Sequence, residues 1–267
     1  MSSSLILVAE YKLISRNLEM GDEQPQKRKF PWKRSYSKMS HTRKEVEQRI
    51  GMTLRDLHAT AISVEEMLAL ARYNPDKEVI EAMKSTKEEV YKGLARCLRI
   101  EGHETLMEAN VNDLVVFIIH PTIDEFMQRT GRKTIQLFRE KQLIGEDEET
   151  GGYEEFVVVD RIEITEERYI LIIEAKRESL GAAMSQCLLA MKDMGDQNHG
   201  DVVYGFITTG DSWRMLRYDS DRSFLVTNKI ETVFDTMGRD EEKWMREFSV
   251  IVDCVYAALG EVKKDVG

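Results

Sequence analysis

Apolar residues recur at intervals of three and four in VEEMLALARY and again in VIEAMKSTKEEVYKGLARCL, the spacing that lines one face of a helix. Asn74-Pro75-Asp76 separates the two runs, and Asp76 stands where an N-cap would accept from the first turn. The next apolar segment, ANVNDLVVFIIH, reads as buried but fits neither the helical nor the strand period. Pro121 is suited to a first helical turn and opens a short helix over PTIDEFMQRT, which ends near Gly131. KTIQLFREKQLI, from Lys133 to Ile144, reads as a further helix, with room for a short strand near Gln142–Gly145.

After Gly145 the pattern changes. EDEETGG is a turn or loop, and YEEFVVVDRIEIT is β-branched and strand-like. ERYILIIEAK is apolar almost throughout, the signature of a central strand covered on both faces. SLGAAMSQCLLAMKDM is a helix with Ser179 as its expected N-cap. VVYGFITTG is a third strand, and SWRMLRYD and SFLVTN form a pair around an Asp219–Arg222 turn. EEKWMREFSVIVDCVYAALGEV closes the chain as a long amphipathic helix. Mixed order with short connections predicts an α/β fold, a mixed central sheet flanked by helices. The expected division is a disordered basic tail over 1–45, a helical region over 46–132 and an α/β domain over 133–262.

Composition adds bounds. The 267 residues are 42% hydrophobic and 32% charged, enough for a substantial core. No run nears the roughly 18 apolar residues of a membrane span, and the N-terminus lacks the basic start and cleavage site of a secretory signal. Cys97, Cys187 and Cys254 are odd in number and far apart, which suggests a reducing compartment, cytoplasmic or nuclear. The net charge of −10 disfavours a generic nucleic-acid coat protein. The charge is uneven, however. Lys27, Arg28, Lys29, Lys33, Arg34, Lys38, Arg43 and Lys44 follow one another with no acid between, a solvated basic arm or a nuclear-localisation or phosphate-contacting segment.

Candidate chemistry centres on ILIIEAKRE. Glu174 and Lys176 are two apart and so share a strand face, at the end of an apolar run where charge is costly unless paired or metal-bound. Asp160 ends a second apolar run, VVVD. If the two strands make a hairpin with a three-residue turn over Thr165–Glu167, Asp160 faces Ile172 and lies diagonal to Glu174 on one face; a two-residue turn would separate them. Two such carboxylates could hold Mg²⁺ or Mn²⁺. The bland alternative is a strand-end ion pair with Asp160 marking a turn.

Asp160, thirteen intervening residues and Glu174-Ala175-Lys176 resemble the D…ExK core of the PD-(D/E)xK nuclease superfamily, which includes restriction endonucleases, RecB-type exonucleases and archaeal junction resolvases. Gln186, ten residues past Lys176, resembles the glutamine of the RecB-like branch, although Ala190 stands where that branch places tyrosine. The stretch from Glu174 to Asp219 is similar to fungal proteins of unassigned role and to nuclease-like domains of crinkler-type effectors. The resemblance, covering roughly 133–260, implies a restriction-endonuclease-like fold and metal-dependent hydrolysis of DNA or RNA phosphodiesters. It implies metal ligation by Asp160, Glu174 and the Ala175 carbonyl, charge stabilisation by Lys176, orientation by Gln186, and an assisting acid on the preceding helix, Glu140 or, second, Glu125. A nuclease fold kept as an inactive interaction module is the alternative. His120, His199, Trp213, Arg214, Met184, Met191 and Met194 read more simply as core or solvent-facing residues, and helix phase alone does not decide whether Lys192 points towards the site.

Overall fold

The longest strands build one mixed sheet because their alternate residues are apolar on both sides. The computed structural model describes residues 30–102, 108–162, 166–177, 180–219, 221 and 223–261, and residues 31–267 cluster as a single unit. The order is β1 (Arg34–Ser35), α1 (Tyr36–Met39), α2 (Arg43–Ile50), α3 (Leu54–Ala59), α4 (Val64–Leu70), α5 (Lys77–Glu101) and α6 (Glu108–Thr130). There follow β2 (Ile135–Ile144), β3 (Thr150–Arg161), β4 (Glu167–Ala175), α7 (Leu180–Gln197), β5 (Val203–Thr208), β6 (Ser212–Tyr218), β7 (Phe224–Val226) and β8 (Ile230–Glu231). The chain then runs through Glu241–Lys243 and a π-turn over Trp244–Phe248 into α8 (Val250–Gly260).

The eight strands form an open mixed sheet with the path β1-β3-β4-β5-β6-β7, β2 on the other edge of β3 and β8 on β6. β3 and β4 are antiparallel, whereas β4 and β5 are parallel and joined through α7. Helices cover both faces. Leu171, Ile173 and Ala175 of β4 pack in one core with α5, α6 and α8. Ile172 packs in the other, with Tyr36, Met39, Val46 and the apolar side of α7. β4 is thus covered on both faces, as its unbroken apolar run predicts. Asp76 caps α5 by accepting from Val79 N–H at 2.9 Å.

Three expected elements differ. Residues 133–144 are not a helix: β2 pairs with β3 along its length, and a long-range ladder overrides a local helical reading. Pro121 does not start a helix but lies inside α6. The tail does not extend to residue 45. Trp32, Tyr36 and Met39 are buried, because Gly151 and Gly152 open β3 to aromatic rings. A methyl group on Gly151 would stand 2.7 Å from the Trp32 ring, and one on Gly152 2.6 Å from Tyr36. Nor is 46–132 separate, since α5 and α6 share their core with the sheet. Lys27–Lys29, the Ser179 cap and residues Ile164 and Thr165 of the expected turn lie outside the described residues. Among those described, no helix is long and apolar enough to cross a membrane.

Candidate active site

Four of the side chains that converge at the end of β4 come from three adjacent elements. Glu174 and Lys176 follow each other where the central strand β4 ends, Glu154 comes from β3, and Gln186 from the second turn of α7, which packs across that face. Glu154 and Glu174 are wholly buried and Gln186 nearly so. Lys176 Nζ lies 2.9 Å from Glu174 Oε1 and donates to Glu155 Oε1 at 2.9 Å. Glu155 Oε2 accepts from the Ala175 N–H at 3.0 Å. Glu155 therefore clips β3 to the end of β4 and holds the ammonium over the pair.

The electrostatics are those of two acids in too little water. Burial pushes the Glu154 carboxyl well above the usual range, and the neighbouring Glu174 adds to it; Gln186 and Lys176 act against the rise. Burial raises Glu174 to about 7, with Lys176 opposing and Glu155 reinforcing. Burial works against the Lys176 charge, but Glu174 and Glu155 outweigh it and drive its pKa up. Lys176 is consequently an ammonium at any ordinary pH. Apart from the Lys176 ammonium beside Glu174 Oε1, no well-aligned hydrogen bond satisfies the carboxylate oxygens of Glu154 and Glu174. Buried polar atoms are rarely left so, and the donor set missing here is one that a hard cation could replace. Glu155 is committed to Lys176 and the backbone. Among the described residues no three His, Cys, Asp or Glu side chains form a ready cage, so any cation here would rest on two carboxylates, other oxygen ligands completing its shell.

The residues expected from sequence divide. Glu174, Lys176 and Gln186 come together, and Ala175 lies between the first two with its side chain in the opposite core. Asp160 does not join them. It pairs with Arg168 in the ladder, not Ile172, because the strands run on to Arg161 and Glu167 before the connection and β4 carries a bulge beside Val158/Val159. Arg168 stands six positions before Glu174 along β4, about 20 Å at strand rise. Asp160 instead forms an ion pair with Arg132, across the edge of the sheet. Glu140 is on a strand rather than a helix and is exposed. Glu125, on α6, is paired with Arg129 at 3.2 Å.

Glu154 is the residue the sequence reading missed. YEEF places two acids at the polar end of an apolar strand, a signal that was available, but alternation from Phe156 and Val158 would send Glu154 to the other core. Among the remaining candidates, Trp213 and the three methionines of α7 are core residues, Arg214 donates to the Thr227 carbonyl at 3.1 Å, and Lys192 donates to Asp196 at 2.5 Å. His120 and His199 are exposed and stand outside the cluster. No family model matches the chain, and no curated protein matches it.

Proposed function

We propose that the chain is a metal-dependent phosphodiesterase acting on DNA or RNA, with a restriction-endonuclease-like arrangement in which Glu154 takes the place first given to Asp160. The observation that carries the reading is the buried pair Glu154 and Glu174, which shares a single ammonium, 2.9 Å from Glu174, and is otherwise short of hydrogen-bond donors. A folding core gains nothing from such a pair, since two buried carboxylates with one ammonium between them destabilise it. The donors suit Mg²⁺ or Mn²⁺, with the Ala175 carbonyl as a further oxygen ligand. A bound divalent cation supplies an activated water and charge relief at phosphorus.

The chain's own groups would divide the remaining work. Glu154 and Glu174 hold the cation and give up the protons that they carry at low pH. Lys176, kept charged by its acidic neighbours, stabilises negative charge on the phosphate rather than taking a proton. Gln186 stands by the Glu154 carboxyl and favours its charged form. Glu155 holds Lys176 in place through the Nζ contact.

A second reading has one observation in its favour. Both acids are fully buried under the Lys176–Glu155 contact, the closed state expected of a nuclease fold that serves only as an interaction module. Cleavage of single- and double-stranded DNA and of RNA, with Mg²⁺ or Mn²⁺, separates the two. Turnover by the wild type that is lost in both Glu174→Gln and Lys176→Ala supports the enzyme. Equal turnover by wild type and Lys176→Ala excludes this site, and no turnover on any substrate favours the module.

A further inference from the structure

Strand alternation alone would keep Glu154 away from Glu174. On β3, Phe156 and Val158 pack in the core with α5 and α6, while Val157 packs in the core with α7. Residue 154 has the parity of 156 and 158. It nevertheless faces the α7 side, close enough to Cys187 and Tyr36 to add to the pKa rise that burial causes in both and that Asp193 reinforces in Tyr36. Gly152, of the same parity, also faces Tyr36. The neighbouring strand changes sides at the same level. Ile135 and Leu137 of β2 lie with the α5–α6 core, but Leu143, again of equal parity, lies in the α7 core.

The change happens within one rung. The β2–β3 ladder pairs Arg139 with Phe156 and Lys141 with Glu154, with equal counts on both strands, and no pair joins Glu140 to Glu155 between them. Glu140 there has φ +52°. A glutamate in the left-handed region is uncommon and the conformation is strained, more so for a β-branched residue. No residue is inserted, so this is not a bulge that shifts register. Both strands turn over together.

We propose that Glu140 is a positioning residue, acting through its left-handed backbone rather than its carboxylate, whose turn brings Glu154 to the side of the sheet that holds Glu174. The inference rests on the cation-binding reading of that pair. It reassigns Glu140 from a chemical role to a conformational one, and it accounts for an exposed acid at a strained position that makes no contact with the site. Glycine adopts φ +52° without strain, glutamine keeps the backbone preference without the charge, and valine opposes the conformation.

The test uses the full chain and three substitutions, Glu140→Gly, Glu140→Gln and Glu140→Val. Mn²⁺ binding is measured by calorimetry, and crystal structures of the glycine and valine variants are determined. Glu140→Gly and Glu140→Gln are expected to bind Mn²⁺ like wild type. Glu140→Val should bind at least about tenfold more weakly, the loss typical of misplaced ligand support, with Glu154 turned away from Glu174 in its structure. Weakened binding in Glu140→Gln or Glu140→Gly would overturn the proposal in favour of a carboxylate role. A Glu140→Val structure with Glu154 still against Glu174 would overturn it directly. If wild type binds no Mn²⁺, the cation reading falls while the two structures still decide the positioning role. Should Glu140→Val not fold, Glu140→Ala replaces it; a melting temperature below that of Glu140→Gly supports the proposal, and one equal or higher overturns it.

Discussion

Glu154 and Glu174 face each other from neighbouring strands, both wholly buried, with the Lys176 ammonium on Glu174 alone and no well-aligned hydrogen bond on the other oxygens. Two like charges so placed repel and are both poorly solvated, so at least one proton is retained into the neutral range. The arrangement costs folding free energy, and a cation between the two would reverse the sign of the interaction.

Replacing either acid with glutamine should therefore separate stability from function. Glu154→Gln and Glu174→Gln remove a buried ionisable group while keeping its shape. Each variant should melt at or above the wild-type temperature at pH 8, a gain of about 1–2 kcal/mol. Each should also lose cation binding and any cation-dependent cleavage. A variant that loses stability and keeps cleavage would show the pair to be structural.

The same pair sets a pH dependence with a definite sign. A carboxyl raised in the folded protein binds its proton more tightly there than in the unfolded chain. Its stabilising share is whole below the ordinary value near 4.5 and is lost as pH rises to about 7 for Glu174. Denaturant unfolding without divalent cations should show stability falling across that window, at up to about 1.4 kcal/mol per pH unit for each group that titrates. Glu174→Gln should flatten the slope, and Mg²⁺ should restore stability at pH 8. A rise in stability across the window, located to this pair by the Glu174→Gln variant, would refute the assignment.

Glu155 and Lys176 form the contact that covers the pair. Glu155→Gln keeps the acceptor for the Ala175 N–H but weakens the hold on the ammonium. In an enzyme that uses Lys176, this substitution should lower the turnover rate by about tenfold to a hundredfold with little change in cation affinity. An unchanged rate would mean that Lys176 is positioned by Glu174 alone.

Much of this architecture is legible in residue order. ILIIEAK gives a central strand with two charges on one face, VVYGFIT a second buried strand, and the apolar spacing after Leu180 a helix that brings Gln186 across. What could not be read was geometry at range. LFREKQL has helical spacing, yet its ladder with β3 decides its state. Gly151 and Gly152 look like a turn until Trp32 and Tyr36 are seen to occupy their faces. Asp160 ends an apolar run at a spacing that fits the site only if a short turn follows, and the strands run beyond it. Glu154 was hidden by the same rule of alternation, which fails where β2 and β3 change sides at Glu140.

Asp160 should consequently matter to stability and not to chemistry. Its side chain and that of Arg132 are largely buried, and their ion pair spans the sheet edge. Arg132→Ala leaves the carboxylate without that partner and should destabilise by about 2–4 kcal/mol. Asp160→Asn should cost less and leave cation-dependent cleavage intact in the folded fraction. Loss of cleavage in folded Asp160→Asn would return Asp160 to the site.

One buried carboxylate ties three earlier parts of the chain to α7. Asp193 of α7 accepts from Tyr36 Oη at 2.7 Å and Thr150 Oγ1 at 2.6 Å, and pairs with Arg49 at 2.7 Å. Asp193 is buried, and Arg49 continues outward to Asp147 at 2.6 Å. These bonds join α1, α2 and β3 to α7, the helix that carries Gln186. Asp193→Ala leaves the partly buried Arg49 with Asp147 as its remaining ion-pair partner and two hydroxyls unmatched, for an expected loss of about 3 kcal/mol. Tyr36→Phe removes one bond and should cost about 1 kcal/mol. Hydrogen exchange should distinguish a local from a global effect: in Asp193→Ala, amides over 34–50 are expected to exchange faster while those of β4 and β5 keep most of their protection. Because α7 also presents Gln186, Asp193→Ala should weaken cation binding further than Tyr36→Phe does. Uniform loss of protection across the sheet would mean instead that this clamp is part of the cooperative core and not a docking point for the N-terminal helices.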